Sequence, residues 1–163
     1  MGVNYFILDT FKADAGKTDA TIWLDMQQKM VDINDAIKEE NLNVHITVTF
    51  QLSKASARQR YYTQDNIGQA KNMIDPVSTC LMIRDIFDDE MPNGKNAIKV
   101  YRLEGKNGKT KIPVTLDENK HYQVLFIVKN REGSANSFQV VLEHDLSRNL
   151  IQEVGITHIS MDF

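Results

Sequence analysis

The chain has 163 residues, 42% of them hydrophobic, a net charge of −3 and one cysteine. This is chain enough for a single domain over residues 1–163 with a real core, and the slightly acidic balance excludes a generally cationic nucleic-acid binder, so any such binding must come from local patches. A disulfide within the chain is excluded, Cys80 in the run STCLMI reads as a buried inert thiol, and no stretch approaches the ~20 apolar residues of a membrane span, so a soluble protein of the reducing cytoplasm is expected.

The first element is Val3 to Asp9, VNYFILD, an apolar run ending in an acid, and its counterpart is TVTFQLSK, Thr47 to Lys54. Continuous apolar runs of β-type residues predict strands covered on both faces of a parallel sheet. In such sheets chemistry sits where the strands end, and an aspartate there either holds a nucleotide-bound magnesium or simply opens a loop. After the polar loop Thr10 to Lys17, Ile22, Trp23, Met26, Met30, Ile33 and Ile37 recur at spacings of three and four, which predicts a helix from Asp19 to Glu40 packed on the sheet. Thr18 or Asp19 caps it, and Asn41 is a plausible left-handed stop. With the strand Val44 to Gln51 this makes one right-handed βαβ unit. Gly16 to Thr18, GKT, lies between strand and helix, but a phosphate cradle needs a second glycine five residues earlier, where Phe11 stands. No other stretch supplies such a loop.

Lys54 to Gln64, KASARQRYYTQ, carries Lys54, Arg58 and Arg60 with no acid and then two tyrosines. It reads either as a solvated surface loop or as a backbone-holding, base-stacking nucleic-acid contact. A short helical passage, Asn66 to Ile74, ends at Pro76, and Val77 to Arg84 is another buried strand. Asp85 to Glu90 is an acidic bend and Met91 to Gly94 a turn. Ala97 to Leu103 and Thr110 to Leu116 flank the Asn-Gly tip Gly105 to Lys109 and predict a protruding β-hairpin. Tyr122 to Lys129 is a core strand, Phe138 to Glu143 alternates like an antiparallel partner, and the tail Ile151 to Phe163 is a candidate edge strand. The four histidines show no metal-ligand spacing.

The order YFILD, a helix of about twenty residues, VTFQLSKASARQR, STCLMIRD and FIVKNREG resembles, over roughly Val3 to Arg148, the C-terminal half of the RecA-like ATPase core of DnaB-type replicative DNA helicases. The resemblance implies an α/β fold, a partial RecA-like core with a mainly parallel twisted sheet, flanking helices and an antiparallel C-terminal hairpin region. It implies that Asp9 is the Walker B acid, reaching Mg2+ through ATP, and that Gln51 is the polar sensor. Lys54, Arg58 and Arg60 would face single-stranded DNA in a ring's channel, and Lys129 and Arg131 would reach a neighbouring subunit's nucleotide.

Three departures accompany it. The family's Walker A loop and catalytic glutamate lie upstream of the Walker B strand, and this chain starts too late to contain them. The usual Glu-Gln-Asp-Ala-Asp passage is replaced by Asn72, Met73, Ile74, Asp75 and Pro76. The hairpin of Gly94 to Lys120 reads as an insertion. The expectation is half a motor, inactive alone and without tightly bound cofactor, whose partners are the missing N-terminal half or neighbouring ring subunits. The alternative is a non-catalytic regulatory domain that docks on a helicase or another replication protein.

Overall fold

β1 (Tyr5–Leu8) and β2 (His45–Val48) pair in parallel, Tyr5 opposite His45 and Leu8 opposite Val48, with α1 (Asp19–Glu39) between them in the chain. The computed structural model describes residues 4–11, 19–39, 42–52 and 58–160. Parallel strands need a crossover of a dozen or more residues, and the stripe of α1 supplies it. On that stripe Met26 and Met30 are buried and Ile22, Trp23, Ile33 and Ile37 half-buried. Asp25 and Lys29 form an i,i+4 ion pair at 3.2 Å. The helix lies chiefly against the 3-10 helix Gln64–Ile74 rather than on the sheet. Thr63 caps that second helix, its hydroxyl accepting from the Asp65 amide while the Asn66 side chain accepts from the Thr63 amide.

The chain divides into two compact units. One is built on α1 and the β1–β2 pair and reaches Ser78; the other comprises Arg60–Tyr62 and the chain from Thr79 onward. The second unit is a six-stranded antiparallel sheet of β3 (Thr79–Asp85), β4 (Val100–Glu104), β5 (Thr110–Val114), β6 (Tyr122–Asn130), β7 (Gln139–Asp145) and β8 (Leu150–Thr157), in the order β3-β6-β7-β8-β4-β5.

This overturns the expected α/β fold with a mainly parallel, partial RecA-like core. The only parallel pair among the described residues is β1–β2. The links β4–β5, β6–β7 and β7–β8 span five, eight and four residues, too short for the crossover that parallel neighbours require. β1, expected to be covered on both faces, is exposed throughout, with Tyr5 at 55% and Ile7 at 63%. An apolar run records what a strand offers to neighbours, and among the described residues only β2 pairs with it. The hairpin tip at Gly105 and Gly108, both at positive φ, lies where the Asn-Gly step put it. Yet β4 joins β8 through Tyr101 opposite Ile156, so the hairpin is the sheet's outer edge and not a protrusion. β8, expected at an edge, is interior.

One face of this sheet is closed. Met82, Phe126, Gln139 and Thr157 stand opposite one another across four strands, all under 5% exposed. Tyr62 covers Phe126 at 5.2 Å between ring centroids, and Tyr61 meets it edge-on at 5.6 Å. A second cluster gathers Val100, Leu116, Tyr122 and Val141 with Ile86, Ile98 and Val154. Gly155 lets β8 approach β4, since a Cβ there would sit 2.5 Å from the Tyr101 carbonyl oxygen. Burial pushes the Cys80 thiol up to about 11, as expected of an inert core cysteine. Among the described residues no helix is long and apolar enough to cross a membrane.

Candidate functional site

The level register of β1 and β2 brings their carboxyl ends together. Asp9 follows Leu8 and Thr49 follows Val48, so the two stand side by side where the parallel pair ends. The ladder continues past both strands: the Thr49 amide donates to the Leu8 carbonyl at 3.1 Å and the Phe11 amide donates to the Thr49 carbonyl at 2.7 Å. Asp9 lies between these two bonds. Its Oδ1 accepts from the Thr49 hydroxyl and, at 3.4 Å, from the Thr10 hydroxyl. The same face carries the Tyr5 hydroxyl bonded to Thr47 Oγ1 at 2.8 Å. Asp9 and Gln51 are both exposed, and Gln51 follows Thr49 by two residues on the same segment.

One exposed carboxylate with one oxygen tied by hydroxyls is a donor set for a hard cation that keeps most of its waters and takes further ligands from phosphates. Asp9 therefore fits a nucleotide-bound magnesium. Among the described residues no group of three or more His, Cys, Asp or Glu side chains is arranged to hold a metal by itself.

The basic residues do not act as one group. Lys54 lies outside the described residues, and Arg58 is exposed. Arg60 instead joins a buried charge network, its Nη2 2.5 Å from Asp89 Oδ2 and its Nη1 3.3 Å from Glu90 Oε1. The center of that network is Arg84, whose two terminal nitrogens meet the two Glu90 oxygens at 2.7 and 2.8 Å. Arg84 also donates twice to the Arg60 carbonyl, at 3.0 and 2.7 Å, and stacks over Phe87 at 4.6 Å. The Arg60 guanidinium and the Asn96 amide hold the Asp89 carboxyl below the usual carboxylate range. Lys129 is half-buried on β6 opposite Cys80. β6 ends at Asn130, so Arg131 sits exposed in the turn and the strand alternation that would pair it with Lys129 stops one residue short.

Two groups escaped the sequence reading. Thr49 looked like one apolar-run residue among several, because only the register of β1 with β2 sets it beside Asp9. The other is a cleft of about 510 Å3 lined by Lys120, His121, Glu143, His144, Asp145 and Arg148 among others. His121 contacts Asp85 Oδ1 at 3.2 Å, and its ring lies 6.0 Å from that of His144. The antiparallel register of β6 and β7, Tyr122 opposite Glu143, and the bond from the His144 amide to the His121 carbonyl create this proximity, which linear spacing hides.

Compared with known proteins, the chain matches no protein-family model and no curated sequence.

Proposed function

We propose that this chain is the C-terminal part of a DnaB-type replicative DNA helicase acting in the cytoplasm, contributing to ATP-driven translocation on single-stranded DNA. The observation that carries the reading is local: an acid and a hydroxyl, Asp9 and Thr49, meet at the level carboxyl ends of two adjacent parallel strands, with Gln51 exposed two residues further along the second. Asp9 meets the magnesium of a nucleotide, Gln51 senses the phosphate end, and Arg131, exposed in the turn after β6, reaches toward a neighbouring subunit. Mg2+ with ATP supplies the charge neutralisation that phosphoryl transfer needs. The 163 residues carry no GxxxxGK[ST] loop, so turnover requires a phosphate cradle from another segment or subunit.

The test is made on rings that contain this chain with the cradle. Arg131→Ala collapses turnover while nucleotide affinity stays within a few fold, Asp9→Ala does the same, and mixing the two variants restores part of it. An Arg131→Ala protein with normal turnover removes the trans role. On the chain alone, saturable micromolar binding of a fluorescent ATP analogue, lost in Asp9→Ala, overturns the need for an outside cradle.

A second reading, a non-catalytic domain that docks on a helicase or another replication protein, is favoured by Arg60, whose guanidinium is engaged by Asp89 and Glu90. It gains if mixed rings form and no variant changes turnover.

A further inference from the structure

The geometry points to Thr49 as a positioning residue that sets which oxygen of Asp9 is presented to a metal ion, an inference that rests on the reading of Asp9 above. Two backbone hydrogen bonds, to Leu8 at 3.1 Å and from Phe11 at 2.7 Å, straddle Asp9 and fix the Thr49 backbone opposite it. A β-branched side chain on a fixed backbone has few χ1 choices, so the hydroxyl is held where its proton meets Asp9 Oδ1. Among the described residues the hydrogen bonds to this carboxylate both go to Oδ1. Thr10 adds only a long 3.4 Å contact to the same oxygen, from the residue next in the chain.

A carboxylate on a strand end otherwise rotates about χ1 and χ2 and spreads both oxygens over several directions. Tying Oδ1 from the adjacent strand leaves Oδ2 as the one presented outward, which is how outer hydrogen bonds orient metal-ligating side chains. The neighbouring Gln51 extends from the same segment as Thr49. The hydroxyl thereby couples the acid's direction to the segment that carries the sensor.

The experiment uses the whole chain and manganese alone as the paramagnetic probe, read as broadening of assigned amide signals. In the wild type the amides of Asp9, Thr10 and Phe11 broaden first, and Asp9→Asn abolishes this. Thr49→Val, which keeps the shape and removes the hydroxyl, raises the manganese concentration needed by about 10-fold. Thr49→Ser brings it back to within about 3-fold, because the hydroxyl and its donor role return. Thr49→Val behaving as wild type overturns the role of Thr49 while Asp9 keeps its own. Loss in both Thr49 variants together with displaced Leu8 and Phe11 amides makes Thr49 a ladder residue only, and also overturns it. Wild-type broadening that ignores Asp9→Asn removes the metal reading of Asp9, and the role of Thr49 with it.

Discussion

Arg84 and Glu90 face each other as a two-pronged ion pair, 2.7 and 2.8 Å, with side chains only 3% and 1% exposed. The other sides of both groups are also satisfied: Arg84 donates to the carbonyls of Arg60 and Asp85, and Glu90 accepts from the Phe87 amide at 3.0 Å. Such a pair gains little over a well-packed apolar pair, but losing one partner strands a buried charge. Glu90→Ala is therefore expected to destabilise the chain by about 3 to 5 kcal/mol. The double replacement Arg84→Met with Glu90→Leu should lie far closer to wild type. Urea denaturation followed by tryptophan-independent circular dichroism measures both, and a double variant as unstable as Glu90→Ala contradicts this account.

Acid should unfold the protein through its anchored aspartates. Asp89 is held low first by the Arg60 hydrogen bond and then by Asn96, Asp117 first by the Asn119 amide, and Asp145 first by the Ser147 hydroxyl. Their folded values lie below the unfolded one of about 3.9, so the unfolded chain takes up protons first as pH falls. The stabilisation is complete above about pH 5 and is lost as pH drops through the folded values. Denaturation midpoints measured from pH 6 to pH 2.5 should fall, and Asp89→Asn should flatten part of the slope. An unchanged slope would remove Asp89 from the explanation.

Arg58 and Arg60 should separate in a single-stranded DNA titration. Arg58→Ala is expected to weaken binding and to shallow the salt dependence by about one unit, as for one lost phosphate contact. Arg60→Ala should instead cost about 1 to 3 kcal/mol of stability, since it removes a charged hydrogen bond to Asp89 and an ion-pair contact to Glu90. Equal losses of DNA affinity with no loss of stability in either variant would return Arg60 to the nucleic-acid surface.

Much of the first unit was legible because helical periodicity and β-type runs are local signals. The stripe from Ile22 to Ile37 marked α1, and the helix between two apolar runs identified a parallel pair. In the second unit the β4–β5 hairpin and the antiparallel β6–β7 pair were legible from the Asn-Gly tip and the alternation of Phe138 to Glu143, whereas the antiparallel pairing of β3 with β6 was not, because a buried apolar run carries no mark of strand direction. The ion pair was hidden for another reason. Arg84 shares the parity of Cys80 and Met82, which face the core, and a cation at a core position demands a buried acid. The acid comes from a bend that looked like solvated surface, and its burial depends on Phe87 and Arg60, which only the fold brings there. Asp9 was legible as a strand end, but Thr49 needed the register.

Gly155→Ala should be among the costlier small substitutions. The added methyl meets Tyr101 backbone atoms at 2.5 and 2.9 Å, and neither can rotate away. Separating β8 from β4 is expected to cost about 1 to 3 kcal/mol, as for overpacked cores. Thermal denaturation checks it, and a variant matching wild type would mean the two strands slide apart freely.

The level pairing of β1 with β2 sets rules for insertions and deletions. Residues added between Phe11 and His45 lengthen a connection and leave Asp9 opposite Thr49, because pairing depends on the strands and not on the path between them. A single residue gained or lost between His45 and Thr49 acts differently: it brings Val48 or Phe50 to the aspartate and turns the hydroxyl to the opposite face. Length variation among relatives of this chain should therefore gather before β2 and be absent within it, a pattern of gaps that marks the site without any residue having to be invariant.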